Sequence, residues 1–158
     1  MGDVLLKRLH IYTDSSVIGG CEDPKFSEDS LALWRLFFKG DFVQVLSAHT
    51  LRELQDAPDE VRSHILEVPE AHQIILEDTP EAYDLAEAYL AHGIVGPGSH
   101  SDALHVALAT IGRVDVLVSL NFKHIVNLGR IRSFNAVNLE QGYGLVEIRT
   151  PKEVLHEG

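Results

Sequence analysis

The order of apolar segments along the chain is the feature that most limits its fold. Short runs rich in β-branched and aromatic residues, typical of buried strands, alternate with segments whose apolar residues recur at helical spacing. Strands that alternate with helices in this way form a parallel sheet with helices packed on its faces. We therefore expect an α/β fold. Strands are predicted at 9–13, 42–47, 74–76, 115–119, 136–137 and 145–148, and helices at 27–39, 48–56, 59–66, 80–92, from 99 or 101 to 111, and at 122–128.

Local signals set several ends of these elements. Ser27 and Thr79 are expected to cap helix N-termini, because hydroxyl oxygens accept hydrogen bonds from free backbone amides. Pro80 follows Thr79 at the helical position where proline is best tolerated, and Gly40 follows a helix where glycine is favoured. Residues 151–158 are expected to form a short helix or a frayed tail.

Composition limits the class of protein. A chain of 158 residues with 45% hydrophobic residues fits one globular domain, 1–158, and no apolar run approaches the ~20 residues that span a bilayer. The net charge of −11 argues against nucleic-acid binding through a broad basic face and suits a basic protein partner. Cys21 is the only cysteine, which excludes an internal disulfide and a thiolate zinc cluster. The N-terminus lacks the residue order of a signal peptide, so the expected location is cytoplasmic.

Four polar residues adjoin the predicted strands and helices. Asp14 ends the first strand and Asn121 follows the strand at 115–119. Glu53 lies in the helix after the second strand, and Asp102 opens the helix that ends at 111. In a parallel sheet the carboxyl ends of the strands lie at one edge, where ligands bind. Burying a carboxylate at this edge is unfavourable unless several of them share a cation. Oxygen ligands favour Mg²⁺ or Mn²⁺ as that cation. The pattern predicts a divalent-metal site and hydrolysis of a phosphodiester by metal-activated water.

Each of these residues also has a purely structural interpretation. Asp14 fits a helix N-cap or a turn, and Glu53 fits a solvated helical residue paired with an arginine. Asp102 fits compensation of the helix dipole, and Asn121 fits a cap of the following helix. Only the joint placement of the four favours a metal site.

Ser16 and the histidines are expected to have supporting roles. Ser16 either donates a hydrogen bond to a metal ligand or caps a helix. His105 lies three residues after Asp102 on the same helix face, where we expect it to support the ligands or fill the core. The remaining histidines near these segments, His49, His100 and His124, are expected to be surface or capping residues.

Four short segments around these residues resemble the successive motifs of the PIN-domain family. The resemblance covers about residues 9–137 and is closest to the VapC-like branch, the ribonuclease toxins of toxin–antitoxin pairs. No single motif is specific, but four in register are a strong signal. The segments are Asp14-Ser15-Ser16-Val17-Ile18, Leu51-Arg52-Glu53-Leu54, Ser101-Asp102-Ala103-Leu104-His105-Val106-Ala107 and Ser119-Leu120-Asn121-Phe122-Lys123-His124-Ile125.

The resemblance implies a single PIN-like domain with about five parallel strands and helices on both sides. It implies a Mg²⁺- or Mn²⁺-dependent endoribonuclease for single-stranded RNA, with Asp14, Glu53 and Asp102 as metal-binding acids and Ser16 in support. Many family members have an aspartate where this chain has Asn121, whose amide adds no charge, and this favours a single ion. Such proteins commonly form homodimers and are inhibited by an antitoxin segment.

Two other classes of function stay open. A catalytically weak or inactive PIN-like module that binds a protein partner or RNA is favoured modestly by the acidic net charge and by Asn121. A phosphatase with Asp14 as nucleophile is disfavoured, because such enzymes usually have a second aspartate at the position of Ser16. The aromatic residues Trp34, Phe37 and Phe38 belong either to the core or to a face that receives a partner helix.

Overall fold

The computed structural model describes residues 8–157 and confirms the predicted α/β fold. Five parallel strands form one sheet in the order β3-β2-β1-β4-β5. The strands are β1 Leu9–Thr13, β2 Phe42–Ser47, β3 Gln73–Leu76, β4 Val116–Val118 and β5 Ile148–Arg149. The helices are α1 Ser15–Gly20, α2 Ser27–Lys39, α3 Ala48–Glu53, α4 Asp59–Leu66, α5 Pro80–Ala91, α6 His100–Ile111, α7 Leu128–Glu140 and α8 Pro151–Glu157.

The strand order reverses at β1, in the middle of the sheet. The chain runs from β1 to β2 and β3 on one side, then returns through α5 and α6 to β4 on the other side of β1. Thr13 at the end of β1 pairs with Val118 at the end of β4, so the two strands end side by side. A reversal of this kind leaves a crevice outside the strand ends, which is where α/β sheets bind ligands.

Alternate residues of the central strands face opposite sides of the sheet. On one side Tyr12 and Leu117 pack with residues of α5, α6 and α7, and all are buried. On the other side Ile11 and Val118 pack with residues of α1, α2 and α8. Helices therefore cover both faces, and the two apolar layers fix the direction in which β1 and β4 present their ends.

Some of the predicted helix ends are confirmed and others are wrong. Gly40 ends α2 in a left-handed conformation at φ 84°, and the Thr79 hydroxyl caps α5 with Pro80 in its first turn. The prediction that Ser27 caps α2 is wrong, because Ser27 is already helical and Phe26 occupies the cap position without a side-chain hydrogen bond. Helix α3 ends at Glu53, three residues before the predicted end, where the chain turns toward α4.

The main errors in the predicted elements lie after β4. Of residues 122–128, predicted as a helix, 122–127 form turns and only Leu128 is helical, as the first residue of α7. Residues 136–137, predicted as a strand, lie inside α7. The Asn127 side chain caps α7 by accepting a hydrogen bond from the Arg130 amide at 3.0 Å. The helix therefore begins at the Asn127 cap, later than predicted, and continues through residues 136–137, which were predicted to be extended.

The expectation that the chain has no signal peptide concerns its first residues, most of which are outside the described range. Residues 1–7, considered above for a signal peptide, are not among those described. Among residues 8–157, no helix combines the length and apolar character needed to cross a membrane.

Candidate active site

Asp14 lies at the carboxyl end of β1 with only 3% of its surface exposed. Its Oδ1 accepts hydrogen bonds from the Ser16 hydroxyl at 2.5 Å and from the Val17 amide at 3.2 Å, so Asp14 is the N-cap of α1. Its Oδ2 accepts a hydrogen bond from the Ser119 hydroxyl at 2.6 Å. A carboxylate oxygen has two lone pairs, so both lone pairs of Oδ1 are used, whereas Oδ2 keeps one for a further partner.

Two serine hydroxyls join Asp14 to the end of β4. Ser16 accepts a hydrogen bond from the Leu120 amide at 2.9 Å while donating to Asp14. Ser119 accepts one from the Asn121 amide at 3.0 Å while also donating to Asp14. The carboxylate is therefore fixed by hydroxyls on both sides of the β1–β4 reversal.

Asp102 and Asn121 contact each other across the same crevice. The Asn121 side-chain amide donates to Asp102 Oδ1 at 3.0 Å, and its oxygen accepts a hydrogen bond from the His124 amide at 2.9 Å. Asn121 therefore caps the turns after β4, as one interpretation predicted, and also orients Asp102. Burial, together with the nearby charge of Asp14, raises the pKa of Asp102. Two acids held in this way gain stability from a cation between them.

Glu53 is the last residue of α3 and lies where α1, α3 and α6 meet. Its Oε1 accepts hydrogen bonds from the Ser15 hydroxyl at 3.1 Å and from the His105 ring. Its Oε2 accepts one from the Ser101 hydroxyl at 2.5 Å. Glu53 is partly exposed, as the structural interpretation predicted, but the predicted pairing with an arginine is wrong, because the neighbouring Arg52 pairs with Asp78.

The surroundings of Glu53 keep its carboxylate ionised. Burial acts to raise its pKa, but the hydrogen bond and charge of His105 and the hydrogen bond from Ser101 lower it to about 2. At neutral pH Glu53 is consequently a fixed negative charge and a hydrogen-bond acceptor. It is a poor general acid, because a carboxyl with so low a pKa holds almost no proton to donate.

His105 is buried and connects Glu53 to the core. Its Nδ1 lies 2.8 Å from the Tyr12 hydroxyl, which lies 2.8 Å from Ser47 Oγ. This confirms the expectation that His105 supports a predicted ligand from within the core. The expectation for His49 is wrong, because its half-buried ring contacts the ring of His105 and its Nε2 lies 3.8 Å from Glu53 Oε1. Burial and the nearby charge of His105 lower the pKa of His49.

The structure brings the four predicted residues together as two linked groups. Asp14, Asp102 and Asn121 surround the β1–β4 reversal, and the hydrogen bond between Ser15 and Glu53 joins Glu53 to the helix that Asp14 caps. The sequence analysis missed several supporting residues. Ser101 and Ser119 stand within the quoted motifs and were available signals, whereas Tyr12 had none, since its partner His105 is 93 residues away.

Comparison with known proteins gives a match at the level of structure. No family model matches the sequence, and no curated protein matches it. VapC20 of Mycobacterium tuberculosis, a sarcin-ricin loop cleaving toxin, matches with a TM-score of 0.55 at 15% identity, over 72% of this chain and 92% of that chain. A chain of VapBC2 from Rickettsia felis, bound to a DNA fragment from their promoter, gives 0.52 at 19% identity, over 76% and 96%. The chain has a VapC-like PIN-domain fold.

A third structure extends this likeness over most of the molecule. A chain of FitAcB from Neisseria gonorrhoeae matches with a TM-score of 0.54 at 20% identity, over 90% of this chain and 98% of that chain. At identities this low the likeness establishes the PIN-domain fold and leaves the chemistry to the residues of this chain.

Within this PIN-domain fold, the donor set fits a divalent cation. Asp14 and Asp102 offer carboxylate oxygens on the two sides of the strand reversal. Oxygen donors of this kind are those that Mg²⁺ and Mn²⁺ prefer. Burial is the main cause of the raised pKa of Asp102, and a cation beside this carboxylate would favour its charged form.

Proposed function

We propose that the protein is a divalent-metal-dependent endoribonuclease that cleaves single-stranded RNA and acts in the cytoplasm as the toxin of a toxin–antitoxin pair. The main support is the placement of Asp14 and Asp102 at the β1–β4 reversal, where Ser119 and Asn121 hold them by hydrogen bonds. The VapC-like fold adds support, because VapC20 is a toxin that cleaves the sarcin-ricin loop.

Each residue of the site has a distinct task in this proposal. A Mg²⁺ or Mn²⁺ ion held by Asp14 and Asp102 would supply an activated water and stabilise charge on the phosphate. Ser16 and Ser119 fix the Asp14 carboxylate, which limits the rearrangement needed to accept the ion. Glu53, ionised at neutral pH, accepts hydrogen bonds from water and so orients it toward the phosphorus.

Asn121 orients a ligand in this proposal and adds no charge of its own. Its amide donates to Asp102, and its oxygen already accepts the His124 amide hydrogen. With an amide where many PIN-domain proteins have an aspartate, the site has three carboxylates, which favours one tightly held ion.

The proposed partners are an antitoxin protein and a second copy of this chain. Trp34 and Phe37 are buried in the core, but the neighbouring Phe38 is 62% exposed and forms a cleft with Leu31 and Arg35. An exposed aromatic residue on a chain with a net charge of −11 suits a partner that is basic and has an apolar helix face.

The direct test is cleavage of total RNA by the full chain and by Asp102→Asn, in the presence of Mn²⁺. We expect the variant to lose activity by about 100-fold or more, because a carboxylate ligand becomes a neutral amide of the same shape. We expect its melting temperature to stay level or rise, since the charge of Asp102 opposes folding in the absence of a cation. Asp84→Asn, an exposed aspartate in α5, is the matched control. Full activity in Asp102→Asn would contradict the proposal.

A PIN-like module without catalytic activity is the second candidate. The observation that favours it is that both Asp14 oxygens and both polar atoms of Asn121 already have protein partners. A calorimetric Mn²⁺ titration separates the two, because it does not require the RNA target. Saturable binding that Asp14→Asn abolishes supports the nuclease, whereas an absence of binding and of cleavage supports the module.

A further inference from the structure

Three potential metal ligands converge beside the acidic crevice. His49 and Glu53 lie one turn apart on α3, and His105 faces them from α6. One ligand atom of each lies within 4.8 Å of those of the other two. Nε2 of His105 is 2.5 Å, and Nε2 of His49 is 3.8 Å, from the same oxygen of Glu53. The group differs from the Asp14 and Asp102 pair because two of its three donors are imidazole nitrogens.

This donor set suits a different class of cation. Two imidazoles and one carboxylate are the ligands of zinc and of similar first-row ions, which bind nitrogen more strongly than Mg²⁺ does. Mg²⁺ prefers oxygen ligands and retains its waters. The Ser101 hydroxyl lies beside the three ligands, 2.8 Å from His49 Nε2 and 2.5 Å from Glu53 Oε2. Its oxygen is positioned to be a fourth donor.

The core holds His105 in the orientation that a ligand needs. Its Nδ1 lies 2.8 Å from the Tyr12 hydroxyl, and that hydroxyl can accept from Nδ1 while donating to Ser47. A histidine whose second nitrogen is hydrogen-bonded in this way presents a fixed Nε2, as metal-binding histidines do. Nε2 of His105 faces Oε1 of Glu53, in the place that a cation would take.

Another histidine of the chain shows that nearness to carboxylates is not sufficient. His64 contacts both Glu22 and Glu67, but it does so through opposite nitrogens of its ring. Its partners therefore lie on two sides of the imidazole and cannot share one ion with it. Among the described residues, His49, Glu53 and His105 are a group of three potential ligands whose ligand atoms all lie within 4.8 Å of one another.

We infer that His49, Glu53 and His105 form a binding site for a zinc-class divalent ion, distinct in its ligands from the oxygen site at Asp14 and Asp102. Binding of this ion takes Glu53 away from its hydrogen bond with Ser15, and so from the helix that Asp14 caps. Because Glu53 serves both sites, we expect the zinc-class ion to inhibit RNA cleavage that Mn²⁺ supports. This inhibition rests on the proposed nuclease function, whereas the binding does not.

The binding test is calorimetric titration of the metal-free full chain with Zn²⁺ alone, together with the visible absorption of Co²⁺. We expect saturable Zn²⁺ binding that weakens at least about tenfold in His49→Gln and in Glu53→Gln. Both changes are at partly exposed side chains, so they spare the core that His105→Gln would disturb. His100→Gln is the matched control, because His100 also pairs with a glutamate, Glu87, outside the cluster. Asp14→Asn should keep Zn²⁺ binding while losing Mn²⁺ binding.

The outcomes separate this inference from the proposed function. Absence of Zn²⁺ binding in the wild type, or unchanged affinity in both cluster variants, overturns the site. A Co²⁺ spectrum that responds to His100→Gln and not to His49→Gln overturns it as well. If Zn²⁺ binds as expected but no RNA is cleaved, the nuclease proposal fails and the site stands. If Zn²⁺ binds and RNA is cleaved, we expect Zn²⁺ to inhibit the cleavage that Mn²⁺ supports. The Zn²⁺ concentration that halves the cleavage rate, measured relative to the rate of the same protein without Zn²⁺, should be higher for His49→Gln than for the wild type.

Discussion

At the scale of single residues, Glu53 shows how its surroundings give an acid a fixed charge. The carboxylate is partly buried, which alone would favour its neutral form, yet three neighbouring groups donate hydrogen bonds to it. The donors prevail, and the pKa falls to about 2. A group of this kind affects both chemistry and stability, because its charge is present over the whole physiological range of pH.

The effect of Glu53 on stability should depend on pH in a specific direction. A pKa lowered from the ordinary value of 4.5 to about 2 stabilises the fold above pH 4.5, and that contribution is lost as the pH falls from 4.5 toward 2. We expect Glu53→Gln to reduce the free energy of unfolding at pH 7 more than at pH 3, as measured by urea denaturation. Glu77→Gln, at an exposed position between β3 and α5, is the control. An equal loss at both pH values would contradict this explanation.

Tyr12 is the residue whose hydroxyl connects the site to the core. Tyr12→Phe leaves His105 Nδ1 and the hydroxyl of Ser47 without their buried partner, which costs about 1–3 kcal/mol. Tyr83→Phe is the matched control, because the Tyr83 hydroxyl donates to Asp78 at an exposed position. We expect urea denaturation to show the loss for Tyr12→Phe only, and similar losses in both variants would show that the buried network adds nothing.

The sequence allowed prediction of the site's acids but not of the contacts that hold them. Asp14, Asp102 and Asn121 could be placed because each stands at the end of an element, where local pattern is informative. The hydrogen bond between Ser119 and Asp14 spans 105 residues, and no local pattern encodes a contact of that range. The role of His49 was missed for the same reason, since its neighbour His105 comes from a different helix.

At the scale of elements, the segment after β4 shows why periodicity misled. Phe122, Ile125 and Leu128 have helical spacing, but Ile125 is fully buried while the other two are at least half exposed. The backbone amides of Ile125 and Val126 both donate to the Asn121 carbonyl oxygen, which closes a turn in place of a helix. Polar groups at the ends of the segment, not its apolar spacing, decide its shape.

Asn127 is the residue on which the start of α7 depends. Its oxygen caps the helix at the Arg130 amide, and its nitrogen donates to the Phe122 carbonyl at 2.8 Å. We expect Asn127→Ala to destabilise the fold by about 1–2 kcal/mol, through loss of the cap. Asn127→Asp keeps the cap and loses the bonds that the side-chain nitrogen donates to the Phe122 and Lys123 carbonyls, so thermal unfolding should place it between the wild type and the alanine variant. An alanine variant as stable as the aspartate variant would mean that the cap has no effect.

At the scale of the whole molecule, the parallel sheet was predictable and its strand order was not. Alternation of strands and helices requires parallel pairing, whichever strands are neighbours. The position of β4 beside β1 depends on pairing between residues about 105 apart, such as Thr13 with Val118. That pairing creates the reversal of strand order at which Asp14 and Asp102 lie. The fold class could therefore be predicted from the sequence, whereas the pairing that forms the site could not.

The proposed homodimer can be tested against the exposed apolar side chains of the described residues. Several large apolar side chains lie in solvent, including Leu66 at 85% and Leu145 at 68% exposure. Covering such side chains with a second copy removes them from water. We expect size-exclusion chromatography with light scattering to give twice the 17.5 kDa mass of one chain. The mass of a single chain at every protein concentration would argue against the proposed homodimer.

The distance along the chain between Asp14 and Ser119 also sets when the site can exist. During synthesis Asp14 and Glu53 are made first, and the Ser119 hydroxyl that holds Asp14 Oδ2 is added only after β4 has been made. A ribosome that stalls or releases the chain before that point yields acids that are present but not assembled. Under the proposed nuclease function, the topology therefore delays activity until most of the protein has been translated.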